Sequence, residues 1–287
     1  MTEHDRVVTV VIPAHNEESV IGRCLATLLA EAEPDEFAVL VVSNGSTDHT
    51  VSRAQSVRGS RGASARVLEL PEPSKVAAVR AGMSLAAAGA VIVLDADVEL
   101  PTRAARALRD VLANPLPIVA YPTLRLDTTA ASWVVRRYYA VWTALPYVTE
   151  SMVGSGVFAL NAPARAQLGE LPDVVNDDGW VRHSFPPERR VVVPDEVTVY
   201  SARTARALVA RRARIVNGNR ALAHDLGHDE ATKRGSVVLR QLRLGRVRAP
   251  DVVVFGAMTF LGRVAALVRR ARHDAAWSTD QTSREIE

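Results

Sequence analysis

A single cysteine, Cys24, stands in 287 residues. It can form no internal disulfide and no cysteine metal cluster, so the fold does not depend on an oxidising compartment. Aromatic residues are scarce, at 5%. They do not interleave with the basic residues, which argues against stacking on nucleic-acid bases. Lysine is nearly absent: only Lys75 and Lys233 occur among 35 basic residues. The opening MTEHDR carries acids and runs straight into an apolar stretch, so no secretory leader is expected and a cytoplasmic protein is. No apolar run reaches the roughly 20 residues that span a bilayer. The longest, Val252–Val268, has 17 residues and contains Arg263. A buried helix is the first expectation there, and an interfacial helix the second.

What remains is an ordinary globular balance, with 48% hydrophobic and 23% charged residues. Whole-chain disorder and fibrous repeats are excluded. The length allows one large α/β domain or one domain with a smaller appendage, and a core of that size needs no staples. Charge is unevenly spread. From Ser201 to His273 there are 16 Lys/Arg and 4 Asp/Glu, a net of +12, so an overall +3 leaves −9 elsewhere. A solvated basic face is the plain explanation. A surface for an anionic partner is the sharper one.

The first half alternates apolar strands with helices. Val7–Ile12 reads as a strand stopped by Pro13. Val20, Ile21, Cys24, Leu25, Leu28 and Leu29 form a helical stripe. Val39–Val42 and Arg66–Leu70 read as strands, Lys75–Ala88 as a helix and Ala90–Leu94 as a strand. Asp48 is placed to cap the helix that follows it, and Pro101 to open another. Such strands predict a mostly parallel sheet covered on both faces, whose ligands bind at the strands' carboxyl ends. Three polar clusters sit at such ends: His15-Asn16-Glu17, Ser43-Asn44-Gly45-Ser46 and Asp95-Ala96-Asp97. Further on, Val119–Leu124, Val157–Leu160, Arg189–Val193 and Val197–Tyr200 read as strands. Trp133–Leu145 and Ala205–Leu222 read as helices, and Ser278–Glu287 as a disordered tail.

Asp95 and Asp97 flank Ala96 directly after an apolar strand. Two carboxylates so placed suit a hard divalent cation that also holds a diphosphate. Two solvated or helix-capping aspartates explain the triplet equally well.

The order of motifs is more specific than any one of them. The chain shows VVIPAHNEE at 10–18, VVSNGSTDHT at 41–50, LDADVELP at 94–101, GSGVFALN at 154–161 and NDDGWVR at 176–182. In this order they resemble the family 2 glycosyltransferases, over about Val7–Leu222. The resemblance implies a GT-A-type, Rossmann-like α/β sheet in residues 1–224, followed by a basic helical extension and polar tail in 225–287. It implies an inverting, hexosyltransferase-type enzyme passing a sugar from a nucleoside-diphosphate sugar to an acceptor hydroxyl. A divalent cation, Mg2+ or Mn2+, would assist at Asp97 and Asp95.

Carried over residue by residue, Pro13, Ala14, His15 and Glu17 edge the nucleotide pocket. Ser43 and Asn44 stand where the family usually has a base-reading aspartate, so UDP, dTDP and GDP donors all stay open. Lys75, Ala96 and Asp95 fall near the nucleotide, and Ser155 or Gly156 near the donor sugar. Asp178 takes the place of the catalytic base, with Asp177 in support. A helix N-terminus with two dipole-favoured acids would look the same. Arg214 is the chosen diphosphate clamp within Arg211-Arg212-Ala213-Arg214, where a solvated helix face is an equal alternative. The Q-x-x-R-W sequence of polymer-threading relatives is missing, which favours single transfer. The acceptor stays open among lipid-linked, glycan and small-molecule hydroxyls. The basic segment suggests peripheral contact with an anionic membrane, and no nucleic acid. Two other classes stand beside this reading: a nucleotidyltransferase-like enzyme, and a non-catalytic nucleotide-sugar-binding module.

Overall fold

The computed structural model describes residues 7–86, 89–149, 154–174, 176–226 and 234–271. The chain forms two compact units interleaved in sequence. One comprises Met1–Arg125, Gly154–Asp173 and Trp180–Val199; the other comprises Leu126–Val153, Val174–Gly179 and Tyr200–Glu287.

The first unit is built on a sheet with four parallel strands at one side. These are β1 (Val8–Ala14), β2 (Phe37–Asn44), β3 (Arg66–Leu70) and β4 (Val91–Leu94), ordered β3-β2-β1-β4. Every residue of β1 and β4 is buried, as a parallel sheet covered on both faces requires. The helices α1 (Ile21–Leu29), α2 (Thr50–Ser56), α3 (Lys75–Leu85) and α4 (Thr102–Leu112) connect or follow these strands. The buried stripe of α1 is Ile21, Cys24, Leu25, Leu28 and Leu29, as its spacing predicts. Gly82 of α3 lies so close to β1 that a Cβ there would sit 2.2 Å from a methyl of Val11.

The rest of the sheet is mixed. Four strands complete it: β5 (Val98–Glu99), β6 (Val119–Asp127), β7 (Val157–Leu160) and β8 (Arg190–Tyr200). β7 runs antiparallel to β4, β6 antiparallel to β7, and β8 antiparallel to β5. Between β7 and β8 come α7 (Ala162–Leu168) and α8 (Asp177–His183), and earlier the chain forms α5 (Trp133–Trp142) and α6 (Pro146–Thr149). Arg165 of α7 donates to the carbonyls of Met83, Ala86 and Gly89, satisfying orphan acceptors at the end of α3.

Several expectations shift by a few residues. Pro13 does not stop the first strand, which runs on to Ala14. Pairing of β1 with β4 ends at Val11, so the missing N–H of Pro13 removes no bond on that side. The helix expected over Lys75–Ala88 ends at Leu85, and residues 87 and 88 lie outside the described residues. Arg189–Val193 and Val197–Tyr200 join into the one strand β8, with Pro194 inside it. Asp48 is not the cap residue of α2; His49 is. Asp48 still accepts from the Thr50 N–H at 3.0 Å, doing a cap's work from one position further out. The Ser278–Glu287 tail lies outside the described residues.

The second unit is helical. Its long elements are α5, α9 (Ala205–Leu226), α10 (Arg234–Arg243) and α11 (Ala249–Ala271). The boundary expected after residue 224 falls inside α9. Val135, Tyr138, Tyr139 and Leu208 form a buried cluster, against which Phe255 and Met258 of α11 pack. Phe255 stacks on Tyr138 with centroids 5.0 Å apart, and the Arg212 guanidinium lies over the same ring, 5.6 Å from its centroid. Arg137 pairs with the buried Asp251 at 2.6 Å. The buried helix expected at Val252–Val268 is corrected. α11 is 23 residues long, and only 17% of its most apolar window is buried.

Candidate active site

In the order β3-β2-β1-β4, the chain leaves β1 toward β2 and β3, then returns to β4 on the opposite side. The loops after β1 and β4 therefore diverge at a topological switch point, where open α/β sheets bind ligands. His15–Glu17 follow β1, and Asp95–Asp97 follow β4. The start of β7 lies beside the end of β4, with Val157 opposite Leu94, which brings Ser155 and Gly156 to the same edge.

The contacts there are close. The Asp95 N–H donates to the Gly156 carbonyl at 2.8 Å. Gly156 has φ +63°, and a Cβ on it would stand 2.7 Å from a Val98 methyl and 3.2 Å from Asp95 Oδ2. Glycine is thus required twice, for backbone conformation and for space. Ser155 is buried, and its hydroxyl donates to the Val157 carbonyl at 3.0 Å. Lys75 opens α3, with Ser74 as its N-cap. Its Nζ lies 2.8 Å from Asp95 Oδ1, with both side chains about a third exposed or less (27% and 34%). A lysine singled out by scarcity in the sequence thus meets the first acid of the D-x-D triplet. Ala96 is buried and Asp97 half-buried. Behind them Cys24 is buried, and burial first, then the charge of Asp97, pushes its thiol well above the usual range. That thiol is a packing group, not a nucleophile.

The clusters after β1 and β2 form one clasp. The His15 Nδ1 donates to the Asn44 carbonyl at 2.6 Å, which fixes the ring, since a carbonyl only accepts. Asn44 is buried, and its amide nitrogen donates to the Ala14 carbonyl at 2.8 Å. Its amide oxygen accepts from the Ser74 N–H at 3.0 Å. Both ends of this amide therefore tie the protein's own backbone, joining β1, β2 and the start of α3. Ser43 is buried and donates to the Ser46 hydroxyl at 2.9 Å.

Asn16, at φ +53°, receives the Thr47 N–H on its side-chain oxygen at 2.8 Å. The Glu17 N–H donates to the Thr50 hydroxyl at 2.7 Å, and the Glu17 side chain is buried. Asp48 accepts from the Glu18 N–H at 3.1 Å. Burial raises the Asp48 pKa, but hydrogen bonds from Thr50 and the Glu18 N–H outweigh it, so the carboxyl is held below its usual value. The clasp escapes sequence reading because its partners are about 30 residues apart.

Asp177, Asp178 and Arg214 belong to the second unit's segments, whereas Pro13–Glu17, Ser43, Asn44, Lys75, Asp95, Ala96, Asp97, Ser155 and Gly156 belong to the first. Asp177 and Asp178 open α8, as either reading of the motif expects. Asp177 is buried and Asp178 half-buried. The Gly179 N–H is shared between Asp178 Oδ1 at 2.8 Å and Asn176 Oδ1 at 3.0 Å. Asn176 in turn donates to the Asn219 side chain of α9 at 2.8 Å. Sequence reasoning missed this Asn176–Asn219 link, which anchors the acidic turn to the basic helix. On an α-helix five residues subtend about 140°, so Arg214 points well away from Asn219. Arg211 donates to the Tyr200 carbonyl at 3.3 Å, and Arg212 is held against Tyr138.

Two carboxylates after β4, with no group of three His, Cys, Asp or Glu among the described residues, form an incomplete ligand set. That fits a Mg2+- or Mn2+-type ion completed by a bound diphosphate and water, not an all-protein cage.

The comparisons with known proteins agree with this geometry. No curated protein sequence matches the chain. Among solved structures, a mannosyltransferase from Pyrobaculum calidifontis in complex with GDP-Man and Mn2+ is 21% identical, with a TM-score of 0.58. That match covers 95% of this chain and 76% of the other. Glucosyl-3-phosphoglycerate synthase from Mycobacterium tuberculosis, in complex with Mn2+, uridine diphosphate and glucosyl-3-phosphoglycerate, is also 21% identical, with a TM-score of 0.54. Here the match covers 79% of this chain and 82% of the other. Both likenesses establish the GT-A-type fold. The model of glycosyl transferase family 2 matches residues 9–152, half of the chain, and this protein is therefore a glycosyltransferase of family 2.

Proposed function

We propose that the protein transfers a sugar from a nucleoside-diphosphate sugar to an acceptor hydroxyl with inversion at the anomeric carbon. The observation that carries this reading is the meeting of Lys75, Asp95 and Gly156 at the switch point of the parallel strands. An ammonium beside a carboxylate and a close-approaching glycine backbone suit a diphosphate and the sugar attached to it. The two solved relatives carry UDP or GDP-Man together with Mn2+, which supports a nucleotide-sugar donor here. Asp95 and Asp97 would hold the cation. When bound there, a divalent cation neutralises charge on the departing diphosphate.

Lys75 adds a second positive charge on the diphosphate. Gly156 and Ser155 place backbone against the donor sugar. Asn44 keeps the pocket's edges in register, because its amide ties β1 to the start of α3. The nucleobase is then read by backbone groups and by Ser43 and not by a carboxylate. Asp178 acts as the base: it accepts the acceptor's hydroxyl proton as the oxygen attacks the anomeric carbon and the bond to the diphosphate breaks. Asp177 and the Asn176–Asn219 link hold that acidic turn in place.

The test follows nucleoside diphosphate release by the full chain across UDP-, dTDP- and GDP-sugars, with Mn2+ or Mg2+ and with chelator. One nucleotide class should bind and turn over only with metal, and Asp97→Ala should abolish that dependence along with turnover. An Asp97→Ala protein with full metal-dependent turnover would refute the metal assignment. Absence of binding to every nucleotide would mean a non-catalytic relative.

A further inference from the structure

The helices α10 and α11 carry features that transfer chemistry does not use. On α11 the residues Val253, Ala257, Phe260, Val264, Leu267 and Val268 are exposed, with Val253 at 72%, Phe260 at 65% and Leu267 at 57%. Spacings of three and four residues put them in one stripe, about 22 Å long at 1.5 Å per residue. Leu239 and Leu244, on and just after α10, are exposed as well. An apolar patch of this extent on a soluble surface marks a contact.

The charge around it has one sign. Arg240, Arg243, Arg246, Arg248, Arg263 and Arg270 are all exposed. Between residues 234 and 271 the single acid is Asp251, and it is buried against Arg137. No negative side chain on this stretch therefore offsets the arginines.

By length and composition α11 is apolar enough to cross a bilayer. Its inner face argues for lying on one instead. Asp251 is paired there with Arg137, and Gly262 leaves room for Arg212, where a Cβ would stand 2.6 Å from the Arg212 Cβ. Insertion across a membrane would strip those contacts and bare an ion pair to hydrocarbon.

We propose that α11, with α10 beside it in sequence, is a docking surface for an anionic phospholipid bilayer. The apolar stripe of α11 sinks into the interface in the plane of the membrane, and the arginines meet lipid phosphates. No residue assigned to the proposed transfer lies on either helix, so this surface stands or falls independently of that reaction.

Vesicle co-sedimentation of the full chain tests it, with neutral phosphatidylcholine vesicles and with vesicles carrying phosphatidylglycerol. Binding should appear with the anionic vesicles and weaken as salt rises. At about fivefold per arginine near the surface, Arg243→Ser with Arg246→Ser should lower partitioning about 25-fold. Phe260→Ser should lower it about tenfold or more, since a buried aromatic side chain is lost from the interface. These residues are exposed, so circular dichroism and nucleotide binding should stay as in the parent chain. Equal binding to both vesicle types, no binding to either, or unchanged binding by the variants would overturn the proposal. So would a Phe260-dependent dimer in light scattering without vesicle binding, which would assign the stripe to a second copy of the chain.

Discussion

Alanine at Gly156 probes the close packing of the D-x-D loop against the start of β7. Two penalties add. The first is conformational: φ is +63°, and a side chain in the left-handed region costs about 1–2 kcal/mol. The second is steric. The new methyl would sit 2.7 Å from a Val98 methyl and 3.2–3.3 Å from the Asp95 side chain. Val98 is buried in β5 and cannot swing aside, so overpacking adds about 1–3 kcal/mol.

The total is about 2–5 kcal/mol, read as a fall in denaturant midpoint at unchanged slope. Two other glycines separate the contributions. Gly245 has φ +68° with nothing within 4 Å of an added Cβ, so Gly245→Ala reports the conformational penalty alone. Gly22 lies in α1 with nothing within 4 Å and an ordinary φ, so Gly22→Ala should stabilise by about 0.5–1 kcal/mol. Relief of the clash pushes on Asp95, so Gly156→Ala should also weaken metal-dependent nucleotide binding, which Gly245→Ala should not. If Gly156→Ala is no more destabilising than Gly245→Ala, the close approach of Gly156 to Asp95 and Val98 is wrong.

Three further predictions rest on charged groups. Asp178→Asn should keep donor binding in calorimetry while transfer falls about 10²–10⁴-fold, the range of a lost general base; retained transfer moves the base elsewhere. Lys75→Met should weaken nucleoside-diphosphate binding about tenfold or more while leaving nucleoside binding alone; equal effects on both would show that Lys75 acts only through Asp95.

Glu36 is held at a pKa of about 2, against an ordinary 4.5. A hydrogen bond from Arg106 comes first and outweighs burial, and the Glu33 N–H and Arg109 assist. Its folded pKa is depressed, so the cluster's contribution is complete above pH 4.5 and is lost as pH falls toward 2. Glu36→Gln should cost about 2 kcal/mol in urea unfolding at neutral pH, and the gap from the parent should close toward pH 2. A gap independent of pH would refute the charged role.

The parallel half of the sheet was legible because its pattern is local. Continuous runs dominated by β-branched residues, such as Val8–Ile12 and Val91–Leu94, need no partner to be recognised as fully buried strands. The polar residues ending them marked the carboxyl edge of the parallel strands for the same reason. Lys75 stood out by scarcity alone, and the structure brings it to Asp95. Asn44 was picked out only as a candidate for reading the base, and its bridging role stayed hidden. A buried amide that bridges Ala14 and Ser74 looks in sequence like any strand-end asparagine, because both partners are 30 residues away. The mixed half of the sheet was hidden too, since antiparallel partners such as Leu94 and Val157 meet only after the chain has folded back.

The C-terminal helix marks the boundary most clearly. An apolar 17-residue run determines that a helix must cover some of its surface with something. It does not say with what, for a core helix and an interfacial one have the same composition. Sequence alone determined the family, the strand-ending carboxylates and the one-signed charge of the last helices. Tertiary structure decided that Asp251 and Gly262 turn inward while Phe260 and Leu267 stay bare. Burial is a property of what packs against a residue, and that is fixed only by elements distant along the chain.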